Sequence, residues 1–356
     1  RTYRARTSWT LFQSDGVLLE KSRASLLHGL LDARHRCAQP QFLLEQESWL
    51  RREGLWIAAL ELALRSIPLE PAWRKDLLEA TAWDLRCRST LQEIGRTAEL
   101  HGLQILTFKG CSLSLKHYVA VGQRSFGDID LAVPPGQRTK LEDQLTQSGF
   151  NLPVAGIAYR NGLSLDLHEH PLHQLHLGVK LSEEDWWATA EPIGADYGAL
   201  RTLPTEQEFL LALFHGAKHA FSRANWIADL WVLAHRCEAS RLAQVVILHR
   251  AGRHLWLAQR CLNLWFSEDF PVQLHGAIRP PSRFDVFSHH LLRLILRRQA
   301  PDYLGMLTPI WAIQGFGNKL RYLRSALAPP KGQTAHQRLK RLVDMLKNIL
   351  IPGSGH

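Results

Sequence analysis

The sequence predicts an α+β protein: a small mixed-sheet core flanked by N-terminal helices and a helical C-terminal domain. Three observations carry this. Over the first hundred residues, apolar side chains recur at three- and four-residue spacing, the period of a helix packed on one face. At residue 103 the pattern changes to short apolar runs closed by Gly or Pro, as buried strands are. From Thr205 the helical period returns and runs to about residue 350. The expected units are 1–100, 101–200 and 201–350.

The elements follow in order. GVLLEKSRASLLHGLLDA (16–33) and GLWIAALELALRSI (54–67) read as helices, and Pro68 and Pro71 punctuate the pattern. A long amphipathic helix then extends to His101-Gly102. LQILTFKG (103–110) is a strand ending at Gly110, CSLSLKHYV (111–119) a helix, and FGDIDLAV (126–133) a strand closed by Pro134-Pro135-Gly136. QRTKLEDQLTQSG (137–149) is a charged helix. GIAYRN and LSLDLHEH are two strands around Asn161-Gly162, a dipeptide suited to the positive-φ positions of a tight hairpin. Most of the 12 Trp fall in helical segments, where they serve as packing anchors.

The chain has 356 residues, 46% of them hydrophobic and 21% charged, so it can bury sizeable cores. Its net charge of +10 suits phosphate-bearing ligands. The 5 cysteines are scattered, odd in number and contain no C-x-x-C, which argues against a disulfide framework and for a reducing, cytoplasmic setting. No apolar run reaches the length of a membrane span.

Asp128 and Asp130 sit one residue apart in an otherwise apolar strand. Strand side chains alternate, so the two carboxylates share a face while Ile129, Leu131 and Val133 take the other. Like charges this close in a partly buried site require a cation or a proton between them. Asp166, on another expected strand, supplies a third carboxylate. Such a set suits Mg²⁺, or Mn²⁺ in its place, and phosphoryl or nucleotidyl transfer. Asp166 is the expected base toward an acceptor hydroxyl. Upstream, the Lys109-Gly110-Cys111-Ser112 stretch is a strand-to-helix turn: Gly110 would give the bend, a helix would start near Ser112, and its N–H groups would seat a triphosphate. Lys109 and Arg124 would reach phosphate oxygens.

Taken together, Lys109-Gly110, Tyr118, Gly122-x-Arg124 and GDIDLAV resemble the DNA polymerase beta-like nucleotidyltransferases, and more closely their bacterial uncharacterised nucleotidyltransferase branch. LDLHEH resembles that branch's Asp-Leu-His strand, and LFHGAKHAFSRANWIADL its helical His-Gly-x-x-His…Arg…Trp-x-x-Asp signature. The resemblance covers roughly residues 100–235. It implies that Asp128, Asp130 and Asp166 are the catalytic carboxylates, that an NTP is the donor, and that a helix pair carrying His215, Lys218, His219, Arg223 and Asp229 closes over the nucleotide. Cys111 departs from the usual Ser or Gly at the phosphate turn. The acceptor is open: a small molecule, peptide, protein or tRNA.

Other readings weigh less. HEHPLHQLH offers His168, His170, His173 and His176, but no Cys joins them and Pro171 interrupts the geometry, so zinc is not expected; His168 is read as a supporting or phosphate contact beside Asp166. His215 and His219 in HGAKH lack the Glu of a metalloprotease helix. The C-terminal QRLKRLVDMLKNIL is amphipathic and is expected to pack on the domain, with an anionic partner as the alternative. Transfer of another phosphate-linked group, for example from a nucleotide-sugar, and a non-catalytic nucleic-acid or partner-binding module are the rival functions.

Overall fold

The computed structural model describes residues 21–171, 183–219 and 221–280. His173 and His176, and the amphipathic segment 337–350, lie outside the described residues. The fold is α+β, as the periodicities predict, and its central sheet has 7 strands in the order β3-β4-β5-β2-β1-β7-β6.

The chain enters through helix α1 (described over 21–31), followed by the short helices α2 (Pro40–Leu44), α3 (Glu47–Arg52) and α4 (Trp56–Leu64). Pro71 opens α5 (Pro71–Leu100), where a residue lacking an N–H leaves no helical bond unmade. Strand β1 (Ile105–Phe108) runs directly into α6 (Lys109–Lys116), and β2 (Ile129–Ala132) lies antiparallel to β1. After α7 (Arg138–Gln147) come β3 (Asn151–Val154), β4 (Ile157–Arg160) and β5 (Leu163–His168). The β4–β5 turn has Asn161 at φ 51° and Gly162 at φ 79°, the paired positive angles the Asn-Gly dipeptide tolerates.

β5 then pairs with β2 in parallel. Helix α8 (Glu183–Thr189), β6 (Glu191–Pro192) and β7 (Leu200–Thr202) complete the other sheet edge, with β7 parallel to β1. Helices α9 (Thr205–Lys218), α10 (Ala224–Arg236), α11 (Ala239–Leu248) and α12 (Gly252–Phe266) follow.

Both faces of the inner strands are covered, which is why β1 and β2 are buried at every position. One face, through Ile105, Ile129, Leu131, Val133, Leu165 and Leu167, packs on α5 and α7. The other, through Leu106, Phe108 and Ala132, joins a core shared by the early helices (Leu26, Leu30, Trp56, Leu60) and the late ones (Leu210, Phe214, Trp231, Leu255). The helices before residue 65 and those after residue 205 thus bury their apolar stripes against each other and against the same face of the sheet.

Candidate functional site

The acidic cluster follows from strand register. In the parallel β2–β5 pair, Asp130 lies directly opposite Asp166 and Ala132 opposite His168. Partners across a ladder point the same way, and so do residues two apart on one strand, so Asp130, Asp166 and His168 share a face. Asp130 is also opposite Phe108 of β1, which places the cluster on the side of the sheet that faces the late helices. Asp128 stands just before β2 and is exposed.

The cluster is tightly bonded. His168 Nε2 lies 3.0 Å from Asp130 Oδ1 and 3.1 Å from Asp166 Oδ2. Lys109 Nζ donates to the same Asp130 Oδ1. The Phe108 ring meets the His168 imidazole edge-on, with centroids 5.2 Å apart. Burial lowers the His168 pKa, but its hydrogen bonds to Asp130 and Asp166 outweigh that and raise it above the usual histidine value. The His168 hydrogen bond holds Asp166 below the usual carboxylate range. Asp128 moves the other way: partial burial and the charge of Asp130 push its pKa up, and Asp166 adds to the rise. The carboxylate share of that rise, from Asp130 and Asp166, is the part a divalent cation would relieve. One ligand atom each from Asp130, Asp166 and His168 lies within 4.8 Å of the others, so the residues fit a metal ion.

The turn ahead of the cluster differs from expectation in two respects. The helix begins at Lys109 rather than near Ser112, and the left-handed residue is Lys109 itself, at φ 59°. For a side chain with a Cβ this conformation costs about 1–2 kcal/mol. Gly110 is needed for space instead of for the bend: a Cβ there would stand 2.7 Å from Cβ of Phe126, in the loop leading to Asp128. The first N–H groups of α6 have no side-chain cap.

Cys111 and Ser112 are buried, and their side chains are not brought to the cleft. Cys111 belongs to the apolar layer against α5. Ser112 Oγ donates to Glu208 at 2.5 Å and meets Thr202 Oγ1 at 2.6 Å. Glu208 also binds His117 Nε2 at 2.6 Å, so this buried carboxylate gathers β7, α6 and α9.

A cleft of about 240 Å³ lies between the sheet and the late helices. Lys109, Gly110, Asp128 and Asp130 line one wall; His215, Arg223 and Trp226 line the other. Arg124 and Asp229 close its floor as a two-pronged ion pair, with Nε–Oδ1 and Nη2–Oδ2 both 2.7 Å, and Tyr118 Oη donates to Asp229 at 2.6 Å. The Arg124 fork is therefore already engaged by a carboxylate, whereas sequence reasoning reserved it for a phosphate. His215 meets Trp226 edge-on at 5.4 Å and His219 lies tilted against it at 5.2 Å, and burial with the charge of Lys109 holds His215 well below the usual histidine pKa. Lys218 and His219 sit at the exposed end of α9. His170 falls just after β5 and is not one of the three residues whose donor atoms converge.

Phe126 and Glu208 belong to this site although the sequence patterns do not single them out as site residues. Glu208 had a signal, an acid inside an apolar helical stretch. Trp226, the Trp of the Trp-x-x-Asp signature, lines the cleft.

With this geometry in view, comparison with protein families matches residues 57–267 to the family described as uncharacterised nucleotidyltransferase. No curated protein and no solved structure matches. Among the described residues no helix is long and apolar enough to cross a membrane.

Proposed function

Because the chain belongs to the uncharacterised nucleotidyltransferase family, we propose that it moves a nucleoside monophosphate from an NTP to a hydroxyl or phosphate acceptor, using Asp128, Asp130 and Asp166 around a divalent metal. The observation that carries this is the β2–β5 register, which sets Asp130 against Asp166 beside a cleft lined with basic and aromatic groups.

Asp128, Asp130 and Asp166, with His168 beside them, would hold the cation. A divalent ion in such a site neutralises charge on the transferring phosphate and orients its oxygens. The chain's own groups do the rest. Lys109 and the uncapped N–H groups at the start of α6 offer a seat for the triphosphate at the cleft wall. His215 and Trp226 offer a ring-lined wall to the nucleoside.

Of the two paired carboxylates, Asp166 is the one an acceptor reaches, because its side chain is 42% exposed against 6% for Asp130. Its lowered pKa keeps it ionised and ready to take a hydrogen bond from the incoming hydroxyl. Asp130 lines the cleft and the more exposed Asp166 does not, so a donor in the cleft and an acceptor beside Asp166 would meet at the cluster. Arg124 and Asp229 then serve by fixing the loop before β2. The acceptor classes remain a small molecule, a peptide, a protein or a tRNA.

The test is product mass after incubating the protein with each NTP, Mg²⁺ or Mn²⁺, and cell extract. A nucleoside monophosphate adduct is expected with the native chain. Asp130→Asn should lower its formation by at least about a hundredfold, in line with losing a charged transition-state contact. An unimpaired Asp128→Asn/Asp130→Asn double variant would sink the mechanism.

A further inference from the structure

We infer that His168 is itself a metal donor, so that the site is a mixed nitrogen–oxygen set that prefers Mn²⁺ to Mg²⁺. This rests on the metal-dependent reading above and adds to it a ligand and a metal preference.

Three observations support it. First, the ladder itself delivers the imidazole: His168 follows Asp166 by two residues on β5 and faces the same way. Second, a single ring atom, Nε2, is within 3.1 Å of one oxygen from each carboxylate, and the three atoms fall within 4.8 Å of one another. That is a convergent donor set and not a histidine merely near an acid. Third, the ring is held. Phe108 covers it edge-on, β5 fixes its backbone, and its side chain is only 22% exposed. A held donor binds with less loss of side-chain freedom than a mobile one.

The chemistry then decides the ion. Mg²⁺ is hard, favours oxygen ligands and keeps much of its water. Imidazole suits metals further along the first-row series, and affinity for a nitrogen-containing site rises from Mn²⁺ onward. A carboxylate set joined by a His donor therefore discriminates against Mg²⁺ in a way that an all-carboxylate set does not. Lys109, paired with Asp130, offsets part of the negative charge and leaves more of the binding to the nitrogen donor.

The experiment uses the full chain and Mn²⁺ as the probe. Pulsed electron paramagnetic resonance of the bound ion reads directly whether a ¹⁴N nucleus is coordinated, and calorimetric titration gives Mn²⁺ and Mg²⁺ affinities. We expect ¹⁴N coupling in the native protein and its loss in His168→Gln. The Mn²⁺-over-Mg²⁺ preference should fall by about tenfold or more in His168→Asp, which restores an oxygen donor. The native spectrum needs no variant, so a misfolded substitution leaves the test intact. Mn²⁺ bound without ¹⁴N coupling overturns the role of His168 while leaving the nucleotidyl-transfer reading standing. No Mn²⁺ uptake at all overturns both.

Discussion

At the scale of single residues, the least dispensable contact of the cleft is the Arg124–Asp229 pair. Both side chains are nearly covered, at 9% and 4% exposure, and the guanidinium meets the carboxylate with two parallel bonds. Removing one partner strands the other charge in the interior. Asp229→Ala should therefore lower the unfolding free energy by about 3–5 kcal/mol, read by denaturant titration. The Tyr118 hydroxyl donates to the same carboxylate, so that variant takes away its acceptor as well. Replacing Arg124 and Asp229 together with apolar residues should recover much of the loss.

At the scale of elements, α12 carries a buried titratable group with no hydrogen-bond partner among the described residues. His254 has neither ring nitrogen bonded, and the Phe214 ring packs against it at 5.1 Å. Burial and then the charge of Arg253 lower its pKa to about 4, against an ordinary 6.5. The unfolded chain thus binds a proton that the fold refuses. The stability tied to the neutral ring is complete above pH 6.5 and drains away as pH falls toward 4, by about 3 kcal/mol in all. His254→Phe should flatten that part of the stability–pH curve, measured by unfolding at each pH. The elements also show what was legible. β2, β5 and the Asn161-Gly162 turn could be read because alternation and turn chemistry are local signals. β6 and β7 could not: they span Glu191–Pro192 and Leu200–Thr202, too short to carry a period, and they form only because β1 offers an edge. The three carboxylates were readable as candidates, whereas the engagement of Arg124 by Asp229 depends on α10 folding back across the sheet, which no local pattern announces.

At the scale of the whole molecule, the sheet stands between two apolar layers, and the layer on the cluster's side is built from both ends of the described chain. Leu26, Leu27 and Leu30 are fully covered although they precede the family match at residue 57. A chain starting at residue 69 would expose their partners on the late helices. We expect it to lose its cooperative thermal transition and to be cleaved readily by trypsin, while the full chain resists. The parallel pairing of β2 with β5 has a consequence in time as well as in space. Parallel strands join segments distant in sequence, and closing such loops is slow and comes late. Asp130 and Asp166 come to face each other only when that ladder closes, so a site that needs both carboxylates would be complete only once β2 and β5 have paired.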